Sequence, residues 1–205
     1  PDLDWAVAAI QEPLGNAVHT VLETPVAGST VCVTGAGPIG LFAIDVARAA
    51  GAVRIFATEV SPYRLELARR LGAEVYHPGE VDVVAAIREA TGGRGVDIVL
   101  EMSGHPQAIK QGLAMLRMGG HMSLLGIPAR PVELDITNDV VFKGVTLHGI
   151  SGRRMYETWY QVKAFLDNQR LQVEQVITHQ LPLERFAEGM QLMAEKRCGK
   201  VVFRF

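Results

Sequence analysis

The sequence predicts an α/β domain built on a doubly wound, parallel sheet of six strands. Three observations support this expectation. Short runs rich in β-branched residues alternate with helix-like stretches, which is typical of successive βαβ units. Glycines separate the runs from the stretches, as expected at the turns of such units. One glycine cluster, Gly35-Ala36-Gly37-Pro38-Ile39-Gly40, ends the first run and opens the first helix.

The predicted elements follow one another in a regular order. The six strands are Thr30–Thr34, Val53–Thr58, Glu74–Tyr76, Val96–Met102, His121–Gly126 and Val145–Ile150. The helices between the first five are Pro38–Ala50, Tyr63–Leu71, Val83–Ala90 and Gln107–Leu116, each with apolar residues on one side or throughout. Crossovers between parallel strands are right-handed, so the helices are expected on both faces of the sheet.

Segments outside the sheet are predicted at both ends. Asp4–Glu23 has a helical pattern that Pro13 and Gly15 interrupt, and it belongs to no βαβ unit. Helices are predicted at Met155–Leu166 and Leu183–Ala194, and a last strand at Val201–Phe205. We therefore expect a flanking segment over 1–25, the sheet domain over 26–177 and a C-terminal segment over 178–205. Both flanking segments are expected to pack on a further domain that this sequence lacks.

Composition excludes several classes of protein. Hydrophobic residues make up 48% and charged residues 20%, which is typical of a globular domain. The 20 basic residues nearly balance the 22 acidic ones without forming a basic block, which argues against nucleic-acid or membrane partners. Cys32 and Cys198 lie too far apart for a cysteine-rich zinc site. No apolar run approaches the about 18 residues of a membrane span, so we expect a soluble, cytoplasmic protein.

The glycine cluster matches the GxGxxG fingerprint of a dinucleotide-binding Rossmann domain. In that fingerprint Gly35 makes the tight turn, Gly37 lets the backbone approach a pyrophosphate, and Gly40 allows close helix–sheet packing. The helix that begins at Pro38 directs its free N–H groups and positive dipole end at the phosphates. A plain glycine turn is the alternative, but the strand–turn–helix context favours the cofactor site.

A carboxylate follows at the spacing expected for a ribose contact. Glu59 lies 19 positions after Gly40, at the end of the second predicted strand, where it can accept hydrogen bonds from ribose hydroxyls. It would repel the additional phosphate of NADP, so the sequence predicts NAD. The alternative is a solvated carboxylate at a strand end. Arg64 either lies along the adenine ribose or is a surface residue, and a cation there would also suit NADP.

Two loops are predicted beside the nicotinamide half of the cofactor. Glu101-Met102-Ser103-Gly104 ends the fourth strand and Leu125-Gly126-Ile127-Pro128 ends the fifth. Ligands of open α/β sheets bind outside the carboxyl ends of the strands, which favours a functional interpretation of both loops. The alternative is that Gly and Pro form ordinary turns where each strand ends. His19 is interpreted as a packed or capping residue, and no other histidine is assigned a role.

The whole sequence resembles the zinc-dependent medium-chain L-threonine 3-dehydrogenases. The resemblance is carried by EPLGNAVHT from Glu12, VTGAGPIG, EVSPYRLELARRLGA, VDIVLEMSG, LLGIP, GRRMYETWY from Gly152, ITHQLPLERFAEGM and GKVVF. It implies NAD-linked oxidation of L-threonine to 2-amino-3-oxobutanoate. The residues that match NAD-contacting positions of the family are Ile39, Glu59, Arg64, Leu125, Gly126, Ile127, Ile150 and Ser151.

The same resemblance shows what the chain lacks. Glu12 matches a carboxylate that lies beside the catalytic zinc, and is assigned as a proton-relay residue or a possible fourth zinc ligand. The family's N-terminal catalytic domain, which supplies the other zinc ligands, is missing. The chain is therefore expected to bind NAD without catalysis. Because an exposed edge strand is a template for pairing, Val145–Ile150 predicts a dimer through that edge, and the resemblance implies a tetramer of such dimers at full length.

Two other functions fit the sequence. A related zinc-dependent polyol or secondary-alcohol dehydrogenase would share the cofactor site, since the substrate-selecting residues lie mostly in the absent domain. A non-catalytic NADH-sensing module would share it too, because a Rossmann domain binds its cofactor whatever it is attached to. A sensor would be expected to carry a DNA-binding or partner-binding appendage, and no basic helix is visible.

Overall fold

The structure, a computed structural model, describes residues 3–205. Its main sheet has six parallel strands in the order β3-β2-β1-β4-β5-β6, which confirms the predicted doubly wound Rossmann sheet. The strands are β1 Thr30–Thr34, β2 Arg54–Thr58, β3 Glu74–Tyr76, β4 Val96–Glu101, β5 Leu116–Leu124 and β6 Thr146–Gly149. The order of the strands reverses between β1 and β4, and this switch point is where such sheets bind ligands.

Helices cover both faces of the sheet. They are α1 Trp5–Ala9, α2 Gln11–Leu22, α3 Pro38–Ala49, α4 Pro62–Arg70, α5 Val83–Ala90, α6 Pro106–Met115, α7 Glu157–Asp167 and α8 Phe186–Ala194. Alternate residues of β1 enter two cores: Val31 and Val33 pack with α2, α3, α4 and α7, whereas Cys32 packs with α5 and α6. None of these helices has the length and apolar character that crossing a membrane requires.

The N-terminal helix differs from the sequence-based expectation. Pro13 and Gly15 do not interrupt α2, because Pro13 lies in the first helical turn, where its missing N–H needs no partner. Instead of packing elsewhere, α2 buries Leu14, Ala17, Val18 and Val21 in the core that it shares with α3. Pro1 and Asp2, the first residues of the predicted segment 1–25, lie outside the described residues.

The C-terminal segment forms a second, smaller sheet. Strand β7, Ile177–Pro182, was not predicted from the sequence, and it pairs in parallel with β8, Lys200–Arg204. A 3-10 turn over Leu183–Arg185 precedes α8, so the predicted helix begins three residues later than expected. The segment contacts the main domain through α4, whose Arg64 Nε donates to the Cys198 carbonyl (3.0 Å). The domain boundaries at 25 and 177 stay a prediction.

Three central strands are joined at their amino ends by Asp97. Its carboxylate accepts hydrogen bonds from the Thr30 N–H (2.8 Å) and hydroxyl (2.6 Å) on β1, and from Arg117 Nε (2.5 Å) on β5. Burial raises the pKa of Asp97, but these bonds outweigh it and lower the pKa to about 2. A carboxylate with a lowered pKa in the folded state stabilises the fold wherever it is ionised.

We expect Asp97→Asn to lower the free energy of unfolding by about 1–2 kcal/mol at neutral pH, a value discounted for the partial exposure of the pair. The pKa of Asp97 in the folded state lies below the ordinary value of 3.8. The wild type's advantage in free energy of unfolding therefore has its full size above pH 3.8 and disappears as the pH falls through about 2. Urea unfolding across this pH range measures it.

Asp167→Asn is the matched control for this measurement, because Asp167 is an exposed carboxylate whose ion pair with Lys163 lies on the surface of α7. Surface ion pairs of this kind contribute little to stability, so Asp167→Asn should change the free energy of unfolding by less than about 0.5 kcal/mol. A wild-type advantage over Asp97→Asn that persists undiminished at about pH 2 would contradict the assignment.

Candidate functional site

A cleft of about 500 Å³ opens at the carboxyl ends of β1, β2 and β4. It lies at the switch point of the sheet, where Thr34 of β1 pairs with Glu101 of β4. The cleft brings together residues from the glycine cluster, the ends of β2 and β4, helix α6 and the C-terminal segment. Its lining residues are Gly35, Gly37, Thr58, Glu59, Val60, Arg64, Pro78, Met102, Ser103, His105, Gln107, Ala108, Gln111 and Lys196.

The three glycines of the fingerprint have different surroundings. Gly35 has a φ of +91°, and a Cβ there would lie 2.8 Å from the Ser103 Cβ. A Cβ on Gly40 would lie only 2.0 Å from the Gly35 carbonyl oxygen, so α3 could not approach β1 with any other residue. A Cβ on Gly37 would meet no atom within 4 Å. The fold thus requires glycine at positions 35 and 40, whereas Gly37 faces open space at the cleft.

Helix α3 presents an uncapped N-terminus to this space. Gly37 is its N-cap residue and Pro38 its first helical residue, and no side chain forms a capping hydrogen bond there. The first turn of α3 also contains no acidic residue. No side chain of α3 itself therefore compensates the positive end of its dipole, which favours an anion there. Ile39, the next residue, packs against the apolar core.

Glu59 is buried beside the glycine turn, with 8% of its surface exposed. Its Oε1 accepts hydrogen bonds from the N–H groups of Val60 (2.8 Å) and Ser61 (2.9 Å), and its Oε2 accepts one from Ala36 N–H (2.9 Å). A carboxylate has about four acceptor positions, so Oε2 retains one. The sequence predicted the location of Glu59 but not this second role, which ties the end of β2 to the glycine turn.

The C-terminal segment completes one wall of the cleft. Ser61 donates its hydroxyl hydrogen to the Lys196 carbonyl (2.7 Å), and Arg64 donates to the Cys198 carbonyl, so the N-cap residue of α4 and a residue of its first turn hold this segment. Arg64 lines the cleft, and its contact with the adenine ribose stays a prediction. Lys196 adds a second cation that the sequence did not reveal, because no local pattern shows where a distant segment returns.

The two predicted nicotinamide-side loops meet each other. Ser103 lines the main cleft, whereas Gly126 lines a neighbouring cleft of about 560 Å³ together with residues of the Pro128–Leu134 loop. A Cβ on Gly104 would lie 2.6 Å from the Ile127 carbonyl oxygen. Leu125 N–H donates to the Glu101 carbonyl (3.0 Å), which aligns the second loop with the end of β4.

The remaining predicted cofactor residues lie off these walls. Ile127 is 91% exposed and Ser151 is also exposed. Ile150 N–H donates to the Leu124 carbonyl (2.9 Å), which extends the pairing of β5 and β6. Neither Ile150 nor Ser151 is among the lining residues of the two clefts. Their cofactor role stays a prediction.

The described residues do not bring together a set of zinc ligands. Glu12 is exposed on α2, where it accepts a hydrogen bond from Asn16 Nδ2 (3.0 Å). Within residues 3–205, no group of three or more His, Cys, Asp or Glu side chains could hold a metal ion. Burial raises the pKa of the Cys32 thiol to about 12, so it is protonated at neutral pH and unsuited to a metal. His105 caps α6, and His19 Nδ1 bonds to the Gly152 carbonyl (2.8 Å).

Comparison with known proteins agrees with this geometry. Residues 38–168, most of the sheet domain, match a family described as zinc-binding dehydrogenase. The chain belongs to the zinc-binding dehydrogenase family. The match begins at Pro38, the first residue of α3, and ends one residue after α7. It therefore includes the cleft residues from Thr58 to Gln111 but not Gly35, Gly37 or Lys196.

Several relatives of this zinc-binding dehydrogenase chain are closely similar. It is 54% identical over 203 residues to the L-threonine 3-dehydrogenase of Bacillus velezensis, covering 98% of this chain and 58% of the relative. It is 52% identical over 198 residues to that of Caldanaerobacter subterraneus, covering 96% and 57%. The 2R,3R-butanediol dehydrogenase of Bacillus subtilis is 33% identical with a TM-score of 0.92, over 100% of this chain and 59% of that structure. The chain thus spans less than two thirds of these proteins.

Proposed function

We propose that this chain is the NAD(H)-binding part of an L-threonine 3-dehydrogenase, which oxidises L-threonine to 2-amino-3-oxobutanoate. The observation that carries the proposal is the cleft in which the open space at Gly37, the uncapped α3 and buried Glu59 meet. The named relatives support the substrate. The similar butanediol dehydrogenase has a lower identity of 33%, and it makes oxidation of a different secondary alcohol the main alternative function.

The described residues fit the dinucleotide. Bound NAD supplies the hydride acceptor for alcohol oxidation. The N–H groups at the start of α3 bind the pyrophosphate, and the backbone at Gly37 can approach it because no side chain intervenes. The free acceptor position of Glu59 Oε2 takes a ribose hydroxyl, while its three backbone hydrogen bonds fix its orientation. Ser103 and the Leu125–Gly126 loop form the side toward the nicotinamide.

The chemistry also needs groups that this chain does not provide. Removing a hydride from an alcohol requires a Lewis acid or a base that takes the hydroxyl proton. A catalytic zinc site needs about three protein ligands, and Glu12 alone cannot supply them. We assign these ligands and the proton relay to the remaining part of the full-length protein. Both cysteines of this chain are free and buried, in keeping with a cytoplasmic enzyme.

The sheet edge at β6 is the proposed dimer contact. Within the described residues β6 is an edge strand that pairs only with β5. Unpaired edge strands are templates for a second chain, and a two-fold axis would join two β6 strands into one continuous sheet. The proposed tetramer of the full-length enzyme would be built from such dimers.

We expect the 205-residue chain to scatter light as a dimer at micromolar concentration. Thr146→Lys, which places a charge on the exposed Thr146 of each β6, should shift the chain toward a monomer because like charges at a two-fold contact repel. A wild-type chain that is monomeric under these conditions would overturn the dimer.

Cofactor choice provides a separate prediction. The chain should bind NADH at least about tenfold more tightly than NADPH, because buried Glu59 repels a 2′-phosphate. Glu59→Ser should reduce this preference to within about threefold, whereas Glu66→Ala, on the exposed side of α4, should leave it unchanged. Fluorescence titration of both cofactors measures the ratio. Equal affinities in the unmodified chain would exclude the role given to Glu59.

The proposed function is tested by combining binding, metal analysis and turnover. The chain alone should bind NADH, retain no stoichiometric zinc and give no threonine-dependent reduction of NAD. The full-length protein should reduce NAD with L-threonine faster than with 2,3-butanediol, which separates the proposal from its rival. Turnover by the purified 205-residue chain would show that the catalytic groups lie among residues we left unassigned.

A further inference from the structure

Glu101, the last residue of β4, is a fully buried carboxylate between the two nicotinamide-side loops. Its Oε1 accepts hydrogen bonds from Ser103 N–H (2.9 Å), the Ser103 hydroxyl (2.5 Å) and Gly104 N–H (3.1 Å). Its backbone carbonyl accepts from Leu125 N–H and Gly126 N–H (3.0 and 3.1 Å). One residue therefore binds the first loop with its side chain and the second with its main chain.

The loops are packed around this carboxylate without space for other side chains. A Cβ on Gly126 would lie 2.5 Å from Glu101 Oε2 and 2.1 Å from Gly104 N. Gly104 itself has a φ of +65°, a conformation that favours glycine. The position of Gly126 is thus fixed against the carboxylate, and any change in the carboxylate is transmitted to both loops.

The direction of the hydrogen bonds requires an acceptor at Glu101. His105 N–H donates to Ser103 Oγ (3.0 Å), so the serine hydroxyl gives its own hydrogen to Glu101. The Ser103 and Gly104 N–H groups can only donate. Gly104 N–H is shared between Glu101 Oε1 and Oε2 (3.1 Å to each), so a carboxylate accepts at both oxygens, whereas an amide at either position would turn its own N–H₂ toward a donor. The Thr34 hydroxyl of β1 also donates to Oε1 (3.5 Å). Among residues 3–205, Glu101 forms no ion pair, so its side-chain partners are these N–H and O–H groups.

We propose that Glu101 is a positioning residue for the nicotinamide half of the cofactor. It holds Ser103–Gly104 and Leu125–Gly126 in the conformation that receives this half, without contacting the adenosine half. The inference rests on the proposed NAD(H) site. It adds a residue that neither the fingerprint nor the Glu59 spacing identifies.

A second buried carboxylate provides a matched control. Asp45 of α3 is also fully buried, and it accepts hydrogen bonds from Gln172 N–H (2.6 Å) and Arg48 (2.6 Å). It lines neither cleft. Asp45→Asn therefore makes the same change, acid to amide in a buried network, in a place where only stability should be affected.

The experiment compares NADH with ADP-ribose, which lacks the nicotinamide, in Glu101→Gln and Asp45→Asn. We expect Glu101→Gln to weaken NADH binding at least about tenfold while ADP-ribose changes less than about twofold. The increase in NADH fluorescence on binding, which reports an immobilised nicotinamide, should be lost as well. Asp45→Asn should change both affinities by less than about twofold.

Other outcomes decide against one proposal or the other. Equal weakening of NADH and ADP-ribose by Glu101→Gln, or the same selective loss in Asp45→Asn, overturns the positioning role. A wild-type chain that binds neither ligand refutes the proposed function instead. If Glu101→Gln does not fold, Ser103→Ala removes one donor and keeps the carboxylate. It should then weaken NADH selectively by about threefold, and an unchanged NADH affinity overturns the inference.

Discussion

The close approach of α3 to the end of β1 positions the elements around the cleft. With glycine at position 40, the helix lies where any Cβ would be 2.0 Å from the Gly35 carbonyl oxygen. The helix axis therefore points its N-terminus at the switch point between β1 and β4. The left-handed Gly35 then allows the turn to pass Ser103 of the β4 loop, where a Cβ would lie 2.8 Å from the serine Cβ. Gly35 and Gly40 thus allow α3, the turn after β1 and the β4 loop to pack closely together.

Two buried acids then fix the loops that the glycines bring together. Glu59 binds the N–H groups of Ala36, Val60 and Ser61, and Glu101 binds those of Ser103 and Gly104. Each carboxylate replaces its lost hydration with backbone donors, which is how a buried charge without an ion pair is stabilised. The two carboxylates differ in their free acceptor positions: Glu59 keeps one beside the cleft, whereas Glu101 is enclosed by the loops. The first therefore suits a ligand contact and the second suits positioning.

The sequence predicted the features that depend on local pattern. The six strands, the glycine turn and the location of Glu59 follow from alternating runs and fixed spacing, and the structure confirms the strands and the sheet. Features that depend on distant contacts were missed. Strand β7 has the mixed sequence Ile-Thr-His-Gln-Leu-Pro, and its strand partner β8 lies about 20 residues further along the chain. Lys196 received no prediction, and Glu101 was predicted only as the first residue of a loop, because their individual contacts depend on which segments lie against them.

Helix α2 shows how the N-terminal segment becomes part of the cofactor domain. Arg153 crosses Gly15, where a Cβ would lie 2.6 Å from its Cδ, while His19 bonds to the Gly152 carbonyl and Glu23 pairs with Arg154. Gly15, His19 and Glu23 are four residues apart, so they form one face of the helix. This face holds the loop that directly follows Ile150 and Ser151. The position of those two predicted cofactor residues therefore depends on α2, which packs in the same core as β1 and α3.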